Sequence, residues 1–436
     1  MSKDKILIPE LRFPEFKNEG EWKESVLGSV VEIKGRIGYR GYTTEDIVDK
    51  GKGAITLSPS NFNENGHLNF EKCTYISWDK YEESPEIQLE EGQTVLVKTA
   101  SVGKTAYVDK LPEKATVNPQ IVVLKPKSIH NRFLAFTVSH QNTQNQIRNN
   151  VGAGAIPNIS QEIISKLEIL LPPDVKRKEQ QKIASCISSL DDVIEAHSQK
   201  LELLKDHKKG LMQNLFPQEG EKVPKFRFKE FENEGEWIET VIGSVVEMKG
   251  RIGYRGYTTE DIVDKGKGAI TLSPSNFDAN GQLNFDKCTY ISWAKYEESP
   301  EIQLEEGQTV LVKTASVGKT AYVDKLPEKA TVNPQIVVLK PKKIHNKFLS
   351  YTIAHQNTQI QISNCVGAGA IPNISQEIIS KIKIILPPDI KKREQQKIAL
   401  CLSSLDEVIS AQSQKLDSLK EHKKGLMQSL FPKIID

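Results

Sequence analysis

Nucleotide binding is the first chemistry that the sequence suggests, because "TASVGKTAYV", which starts at Thr99, contains Gly103-Lys104-Thr105. These three residues end the phosphate-binding loop of many NTPases, in which a glycine five positions earlier lets backbone amides wrap a phosphate. Lys98 stands at that position here, and its side chain would fill the space that the phosphates need. The same ten residues return at Thr314, preceded by Lys313. The spacing therefore disfavours a P-loop, and a P-loop NTPase is kept only as an alternative.

Contact with nucleic acid is indicated by "KGRIGYRGYT", which begins at Lys34 and places arginine and tyrosine among three glycines. Arginine suits bidentate contacts with guanine edges and phosphates, and tyrosine adds a flat surface and a hydroxyl. Glycine lets the backbone approach a ligand closely. A solvated glycine-rich hairpin would have the same composition, so the residues alone leave both interpretations open.

Three further segments carry polar side chains that suit DNA: "SPSNFNENG", "VKTASVGKT" and "VNPQ". Serine and lysine fit phosphates, and asparagine and glutamine fit base edges. Ordinary turns are the alternative, above all at Asn63–Gly66 and at Asn118, which precedes Pro119. The candidate DNA contacts of the first half are Lys34, Arg36, Tyr39, Arg40, Tyr42, Ser58, Ser60, Asn61, Lys98, Ser101, Lys104, Asn118 and Gln120. Those of the second half are Lys249, Arg251, Tyr254, Arg255, Tyr257, Ser273, Ser275, Asn276, Lys313, Ser316, Lys319, Asn333 and Gln335.

The spacing of reactive residues predicts no catalytic set and no bound metal. The sequence lacks a nucleophile elbow, an HExxH motif and a GxGxxG motif, and "VNPQ" falls short of the Asn-Pro-Pro-aromatic motif of DNA amino-methyltransferases. The cysteines are odd in number and form no CxxC pair, which argues against a disulfide framework or a zinc site. They are Cys73, Cys186, Cys288, Cys365 and Cys401.

The composition is that of an ordinary soluble protein, with 38% apolar and 27% charged residues among 436. No run of 18 apolar residues occurs, and the first residues lack the apolar core of a signal peptide, so a cytoplasmic location is expected. The net charge is only +2. A protein that coats DNA would be more basic, whereas a protein with localised basic faces need not be.

The chain consists of two tandem copies of one sequence unit. Residues 8–217 and 223–432 align without insertion at an offset that takes Trp22 to Trp237, and roughly four positions in five are identical. Lys34–Phe62 repeats as Lys249–Phe277, and Lys80–Lys127 repeats as Lys295–Lys342. This period is far longer than that of a solenoid. It indicates a tandem duplication of a unit larger than most domains.

The first part of each copy mixes strand and helix signals. "AITLSPSNF", "QTVLVKT", "TAYVDKL", "ATVNPQIVVLKP" and "LEILLPP" predict strands, because they are short, apolar or β-branched, and bounded by turn residues. "NRFLAFTVSHQNTQNQI" predicts a helix, and "IPNISQEIISK" predicts another that is capped by Asn158 or Ser160. The pattern favours a mixed α/β (α+β) domain.

The second part of each copy has a heptad pattern that is sustained for more than four heptads and predicts a long helix. His197 and Lys208 fill two gaps in the first seam, and Gln412 and Lys423 fill those of the second. The most direct way to bury both seams is to pair the two helices, although an amphipathic helix lying on its own domain is the alternative. The seam residues are Ile183, Ile187, Leu190, Ile194, Leu201, Leu204, Leu211 and Leu215, and Ile398, Leu402, Leu405, Ile409, Leu416, Leu419, Leu426 and Leu430.

The segment from Ile156 to Phe216 resembles the specificity subunits of type I restriction–modification systems. The resemblance lies in the proline-ended strand, the Glu179-Gln180 pair, the heptad helix and the closing Leu-Met-x-x-Leu-Phe, and it recurs from Ile371 to Phe431. It implies two target recognition domains that each read half of a split DNA site, and two helices that form an antiparallel coiled coil. The implied boundaries are 1–173 and 218–388 for the recognition domains, and 174–217 and 389–436 for the spacer helices.

The resemblance also implies the partners. Two methyltransferase subunits would dock on this chain and carry S-adenosylmethionine and the adenine-methylating chemistry, and ATP-using nuclease-translocase subunits are admitted as further partners. This chain would itself be non-catalytic and would bind double-stranded DNA without a cofactor of its own. The alternatives are a DNA-binding scaffold or repressor without a methyltransferase partner, and a coiled-coil adaptor that does not bind DNA.

The near-identity of the two copies departs from the common pattern of this family, in which the two recognition domains differ. An antiparallel helix pair would relate identical domains by a two-fold axis, and duplex DNA has matching axes. We therefore predict an inverted bipartite site, in which a short sequence and its reverse complement flank an unread gap. The differences between the copies include His67/Gln282, Asn145/Ile360, Arg148/Ser363 and Asn150/Cys365. We expect these residues to have structural roles or to contact phosphates, and not to contact bases.

Overall fold

The computed structural model describes residues 7–35, 41–63, 66–152, 154–173, 176–250, 256–278, 281–367, 369, 371–388 and 391–433. The chain divides into two compact units. Unit 1 comprises Met1–Ser198 with Lys415–Asp436, and unit 2 comprises Gln199–Gln414. Each unit therefore contains one recognition-domain copy, the first part of the helix that follows it and the last part of the other long helix.

The strands of the first copy are β1 (Lys23–Val26), β2 (Val31–Lys34), β3 (Ile47–Val48), β4 (Gly53–Leu57), β5 (Thr74–Ser77), β6 (Thr94–Val97), β7 (Thr105–Tyr107), β8 (Ala115–Val117), β9 (Ile121–Pro126) and β10 (Glu168–Leu171). Its helices are α1 (Leu27–Val30), α2 (Trp78–Glu82), α3 (Asn131–Ser139), α4 (Gln141–Asn149), α5 (Gln161–Ser165) and the long α6 (Lys178–Leu215).

The second copy repeats this order. Its strands are β11 (Ile238–Val241), β12 (Val246–Lys249), β13 (Ile262–Val263), β14 (Gly268–Leu272), β15 (Thr289–Ser292), β16 (Thr309–Val312), β17 (Thr320–Tyr322), β18 (Ala330–Val332), β19 (Ile336–Pro341) and β20 (Lys383–Leu386). Its helices are α7 (Ile242–Val245), α8 (Trp293–Glu297), α9 (Asn346–Ala354), α10 (Gln356–Asn364), α11 (Gln376–Lys381) and the long α12 (Arg393–Leu430).

Two four-stranded sheets form the recognition domain of unit 1. The first has the order β2-β9-β6-β7 and is antiparallel, and the second has the order β3-β5-β4-β8, in which β4 and β8 run parallel. Val95 and Val97 face the second sheet, whereas Leu96 faces a core that includes Phe133 of α3 and Ile183 of α6. Because both faces of the first sheet are covered, β6 and β9 are apolar at nearly every position.

The predicted mixed α/β class is confirmed, and so are the predicted strands, but the helix predicted over "NRFLAFTVSHQNTQNQI" is broken. His140 is extended (ψ 148°) between α3 and α4, and its Nδ1 accepts a hydrogen bond from the Asn142 amide at 3.3 Å. The side chain thus caps α4 and separates it from α3. Of the two predicted caps of α5, Ser160 is the cap, since its hydroxyl accepts from the Ile163 amide at 3.2 Å.

The long helices pack antiparallel within each unit, which confirms the arrangement implied by the resemblance. In unit 1, Leu430 shares a buried cluster with Ile183, and Lys423 pairs with Asp191 at 2.5 Å. Moving forward along α6 thus corresponds to moving backward along α12. In unit 2, Lys208 pairs with Asp406 at 2.6 Å. The lysines that interrupt the heptads are therefore used in interhelical ion pairs.

All sixteen predicted seam side chains are buried or half-buried. The larger exposed apolar side chains of the long helices lie off the predicted seam, at Val193, Leu203, Leu400 and Val408. No helix among the described residues is both long enough and apolar enough to cross a membrane.

Candidate nucleic-acid interface

Strand directions in unit 1 bring the predicted DNA contacts to one end of both sheets. In the first sheet Lys34 pairs with Val123, Val97 with Ile121, and Leu96 with Thr105. The end of β2, the start of β9 and the β6–β7 hairpin therefore share one edge. In the second sheet β4 and β8 are parallel, so the segments that follow these two strands also lie together at one end. We call residues 34–35, 58–61, 98–104, 118–120 and 156–161 together the rim.

The β6–β7 hairpin presents the most accessible polar groups of the rim. Ser101 and Lys104 are exposed and Lys98 is half-buried. The hairpin is held by bonds from the Lys98 amide to the Gln120 carbonyl at 2.7 Å and from the Gly103 amide to the Val97 carbonyl at 2.9 Å. Gly103 takes a φ of +95°, which glycine adopts without penalty.

The hairpin also answers the question raised by Gly103-Lys104-Thr105. A P-loop joins a strand to the N-terminus of a helix. Here the segment joins two antiparallel strands, β6 and β7. The P-loop alternative is therefore removed, and the lysine ammonium is left at the surface of the rim.

Asn61 does not fit the predicted base contact, although it lies on the rim. It is only 4% exposed, its Oδ1 accepts from the Ser58 amide at 2.9 Å, and its Nδ2 donates to the Asn69 carbonyl at 3.0 Å. The side chain thus holds the turn after β4 in shape. Ser60 is exposed, and its hydroxyl lies 2.7 Å from that of Ser58, so this pair is the polar surface that the turn offers.

Asn118 likewise shapes the chain and does not point an unused amide outward. It is 7% exposed, its Oδ1 accepts from the Gln120 amide at 3.0 Å, and its Nδ2 donates to Gln120 Oε1 at 3.1 Å. The turn interpretation is therefore the better one for Asn118. Gln120 is half-buried beside it.

The glycine-rich segment is described only at its flanks. Lys34 pairs with Glu32 at 2.5 Å, and this hydrogen bond holds the pKa of Glu32 below its usual range. Tyr42 is half-buried against Ala54 and Tyr81, so its ring is used in packing. Arg36, Tyr39 and Arg40, and their copies Arg251, Tyr254 and Arg255, lie outside the described residues.

A contact that the sequence did not predict joins two parts of the rim. The Thr99 hydroxyl donates to Asn158 Oδ1 at 2.9 Å, and the Ile159 amide donates to the Lys98 carbonyl at 2.9 Å. These partners are far apart in the sequence, so no local pattern reveals them. Their effect is to fix the 156–161 segment against the hairpin.

Unit 2 repeats the rim. Lys313 donates its amide to the Gln335 carbonyl at 2.7 Å, and Ser316 and Lys319 are exposed. Asn276 and Asn333 are 4% and 7% exposed and are bonded within their turns, as in unit 1. The remaining candidates are half-buried or exposed as in the first copy: Lys249, Tyr257, Ser273 and Ser275.

Buried polar contacts attach the recognition domain of unit 1 to α6. Glu179 accepts two hydrogen bonds from the Arg12 guanidinium, both at 2.8 Å, and a longer one from Trp22 Nε1 at 3.4 Å. Gln180 Oε1 accepts from the His130 amide at 2.8 Å. The Glu-Gln pair noted in the sequence therefore fixes the domain to the start of the helix.

The described residues contain no group of three or more His, Cys, Asp or Glu side chains that is arranged to hold a metal ion. What the rim offers chemically is hydroxyls, ammonium groups and backbone amides on a rigid sheet edge. These are the groups that bind phosphates and base edges.

Comparisons with known proteins agree on one family. The family model described as "Type I restriction modification DNA specificity domain" matches residues 19–206 and again 219–421. A type I restriction enzyme MjaVIII specificity subunit of Methanocaldococcus jannaschii is 22% identical over 328 residues, which are 74% of each chain. A putative MjaX specificity subunit of the same organism is 25% identical over 338 residues, or 76% of this chain and 74% of the relative.

Solved structures resemble this chain along nearly its whole length. The type I restriction–modification S subunit of M. genitalium gives a TM-score of 0.60 at 16% identity and covers 98% of this chain and 100% of its own. A chain from a study of complex assembly and conformational transition of the type I restriction–modification system gives 0.52 at 15% identity and covers 95% and 98%. At these identities the likeness establishes the fold.

Proposed function

This chain belongs to the family of type I restriction modification DNA specificity domains, and we propose that each of its two units reads one half of a split DNA site. The observation that carries the proposal is the double family match onto two units that each gather the same polar residues at one rim. Lys104 and Ser101, with Lys319 and Ser316 in the second copy, would contact phosphates and set the register of each unit on the duplex.

We assign the buried amides of the rim a supporting role. Asn61 and Asn118 shape the turns that present Ser60 and Gln120, because their own hydrogen-bonding groups are bonded within the protein. Side chains that still have accessible polar groups, together with Arg36 and Arg40 of the glycine-rich segment, would carry the contacts with DNA.

The proposed partners are two methyltransferase subunits, which would bring S-adenosylmethionine and methylate adenine within the site. The second structural neighbour comes from a study of complex assembly in the type I restriction–modification system, which supports a role within a complex. ATP-using nuclease-translocase subunits would be further partners. In this account the chain is non-catalytic and binds neither cofactor.

The predicted site is an inverted repeat. Lys34–Phe62 and Lys80–Lys127, which contain every candidate DNA contact of the first copy, recur unchanged in the second. Equal surfaces select equal sequences, and the resemblance to specificity subunits implies a two-fold axis between the copies. The half-sites would then be reverse complements with centres about one helical turn apart.

Co-purification with a methyltransferase subunit separates this proposal from its alternatives. The chain is co-expressed with a type I methyltransferase subunit of its own organism, and the affinity of the purified material for duplex DNA is measured over a series of salt concentrations. We expect a stable complex whose DNA affinity falls steeply with salt. DNA binding without complex formation would favour the scaffold or repressor, and absence of both would favour the coiled-coil adaptor.

A further inference from the structure

A large exposed apolar side chain, which cannot bind a phosphate, lies on the rim of each unit. Ile156 is 64% exposed, and its copy Ile371 is 63% exposed, on the same rims as the exposed serines and lysines of the hairpins. A single exposed apolar residue is common on protein surfaces and needs no explanation. Here the same exposure occurs at the same place in both units, beside groups that suit DNA.

Backbone hydrogen bonds hold the residues that flank this isoleucine. The Gly152 amide donates to the Asn158 carbonyl at 3.0 Å, and the Ala100 amide donates to the Pro157 carbonyl at 2.8 Å. The proline that follows restricts the backbone of Ile156 to extended conformations, and the β-branch leaves χ1 few choices. Little conformational freedom would therefore be lost if a ligand packed against this side chain.

Ala100 adds a second exposed apolar group to the rim. It is exposed and takes a φ of +64°, and Ala315 in unit 2 takes +66°. Glycine is the usual residue in this left-handed region, because a Cβ atom is disfavoured there. Each rim thus carries a methyl group at a strained position, next to the proline that follows the exposed isoleucine.

In duplex DNA, the base edges of the major groove offer hydrogen-bonding atoms and one apolar group, the C5-methyl of thymine. We infer that Ile156 with Ala100, and Ile371 with Ala315, form an apolar contact with a thymine methyl in each half-site. This inference rests on the proposed DNA-reading function, and it makes these four residues specificity determinants. Lysine and serine on the same rim would position the backbone, while the apolar pair would distinguish thymine from cytosine.

Replacing thymine by uracil tests this contact, because the change removes only the methyl group. The full chain, with the methyltransferase subunit if the two form a complex, is titrated with duplexes that carry its mapped methylation site. Each thymine is replaced in turn by uracil. We expect at least one position per half-site at which uracil weakens binding about fourfold, the effect of one methyl-sized group. In the Ile156→Ala/Ile371→Ala double variant, the same replacement should have a clearly smaller effect.

Two controls keep the result specific. Ile47→Ala with Ile262→Ala removes two other exposed isoleucines, both 45% exposed, from strands β3 and β13. This variant should keep the full sensitivity to uracil. Ala100→Gly with Ala315→Gly, which removes the methyl groups and relieves the backbone, should reduce it.

Several outcomes would overturn the inference. Wild-type binding that is insensitive to every uracil replacement, or equally sensitive in the isoleucine variant, excludes a methyl contact. The site can also be labelled with 2-aminopurine. A rise in its fluorescence that requires Ile156 but not the thymine methyl group would indicate that the isoleucine side chain inserts between base pairs instead. If one of these results is obtained while the chain still binds the mapped site with normal affinity, only this inference fails. If it binds no specific site, the proposed function fails as well.

Discussion

Phe431 packs edge-on against Trp22, with ring centroids 5.6 Å apart and an interplanar angle of 69°. One residue lies near the start of the chain and the other near its end, yet both belong to the core of unit 1. The same contact in unit 2 joins Phe216 to Trp237 at 5.9 Å. The core of each recognition domain is thus completed by a phenylalanine at the C-terminal end of the long helix that follows the other copy.

Truncating one of these phenylalanines should destabilise one unit selectively. Phe431→Ala removes a ring that is 4% exposed, and we expect a loss of about 3–5 kcal/mol in the stability of unit 1. Hydrogen exchange followed by mass spectrometry should show lower protection in residues 7–198, whereas Phe216→Ala should lower it in residues 199–414. Phe226→Ala, at a ring that is 51% exposed, serves as the control. Equal loss in both units from either change would contradict this arrangement.

Removing the carboxylate of Glu179 should cost far more than removing one at the surface. Glu179→Ala leaves the Arg12 guanidinium, whose side chain is 4% exposed, buried without its partner. The expected destabilisation is about 3–5 kcal/mol. Glu202→Ala, which breaks an exposed pair with Lys205, should cost at most about 1 kcal/mol. Comparable midpoints of urea unfolding for the two variants would show that the buried pair does not anchor the domain.

Stability should decrease between pH 6.5 and about 4 because of two buried histidines. Burial lowers the pKa of His140 and of His355 to about 4. The unfolded chain therefore takes up protons in this interval while the folded chain does not, and each histidine contributes at most about 1.4 kcal/mol per pH unit. Below about pH 4 the folded state is protonated too and the contribution stops growing. The free energy of unfolding of His140→Gln/His355→Gln should vary less with pH, and an unchanged slope would refute the assignment.

Neutralising the exposed rim lysines should weaken DNA binding without changing the sequence preference. Lys104→Ala with Lys319→Ala removes one phosphate contact per unit, so the slope of log affinity against log salt should fall by about 2. The exposed Lys110 and Lys325, which follow β7 and β17 away from the rim, provide the matched double variant. If both double variants lower the slope equally, the rim is not the DNA surface.

The sequence predicted those elements whose pattern of apolar residues follows directly from their burial. Strands β6 and β9 were predictable because burial on both faces makes them apolar at nearly every position. Strands β1 and β2, "KESV" and "VEIK", are short and half or more polar, and gave no such signal. The break at His140 depends on one capping hydrogen bond inside an otherwise continuous helical pattern, and the heptads could not distinguish parallel from antiparallel packing.

The candidate site was predictable in its composition and less so in its geometry. Asn61 and Asn118 looked like readers of bases, and only the structure shows that their amides are bonded within their own turns. The bond between Thr99 and Asn158 links positions 59 residues apart, beyond the reach of any local pattern. The role of Glu179 in fixing the domain to its helix likewise depends on a partner, Arg12, from a distant part of the chain.

A methylation map tests the central claim most directly. The chain is co-expressed with its methyltransferase subunit in a host whose DNA is otherwise unmethylated, and methylated adenines are located by sequencing. Two equal rims predict an inverted repeat, a short sequence and its reverse complement separated by a fixed gap, with one methylated adenine in each half. Methylation at an asymmetric split site would contradict the equivalence of the two units, and absence of methylation with no complex formed would contradict the proposed function.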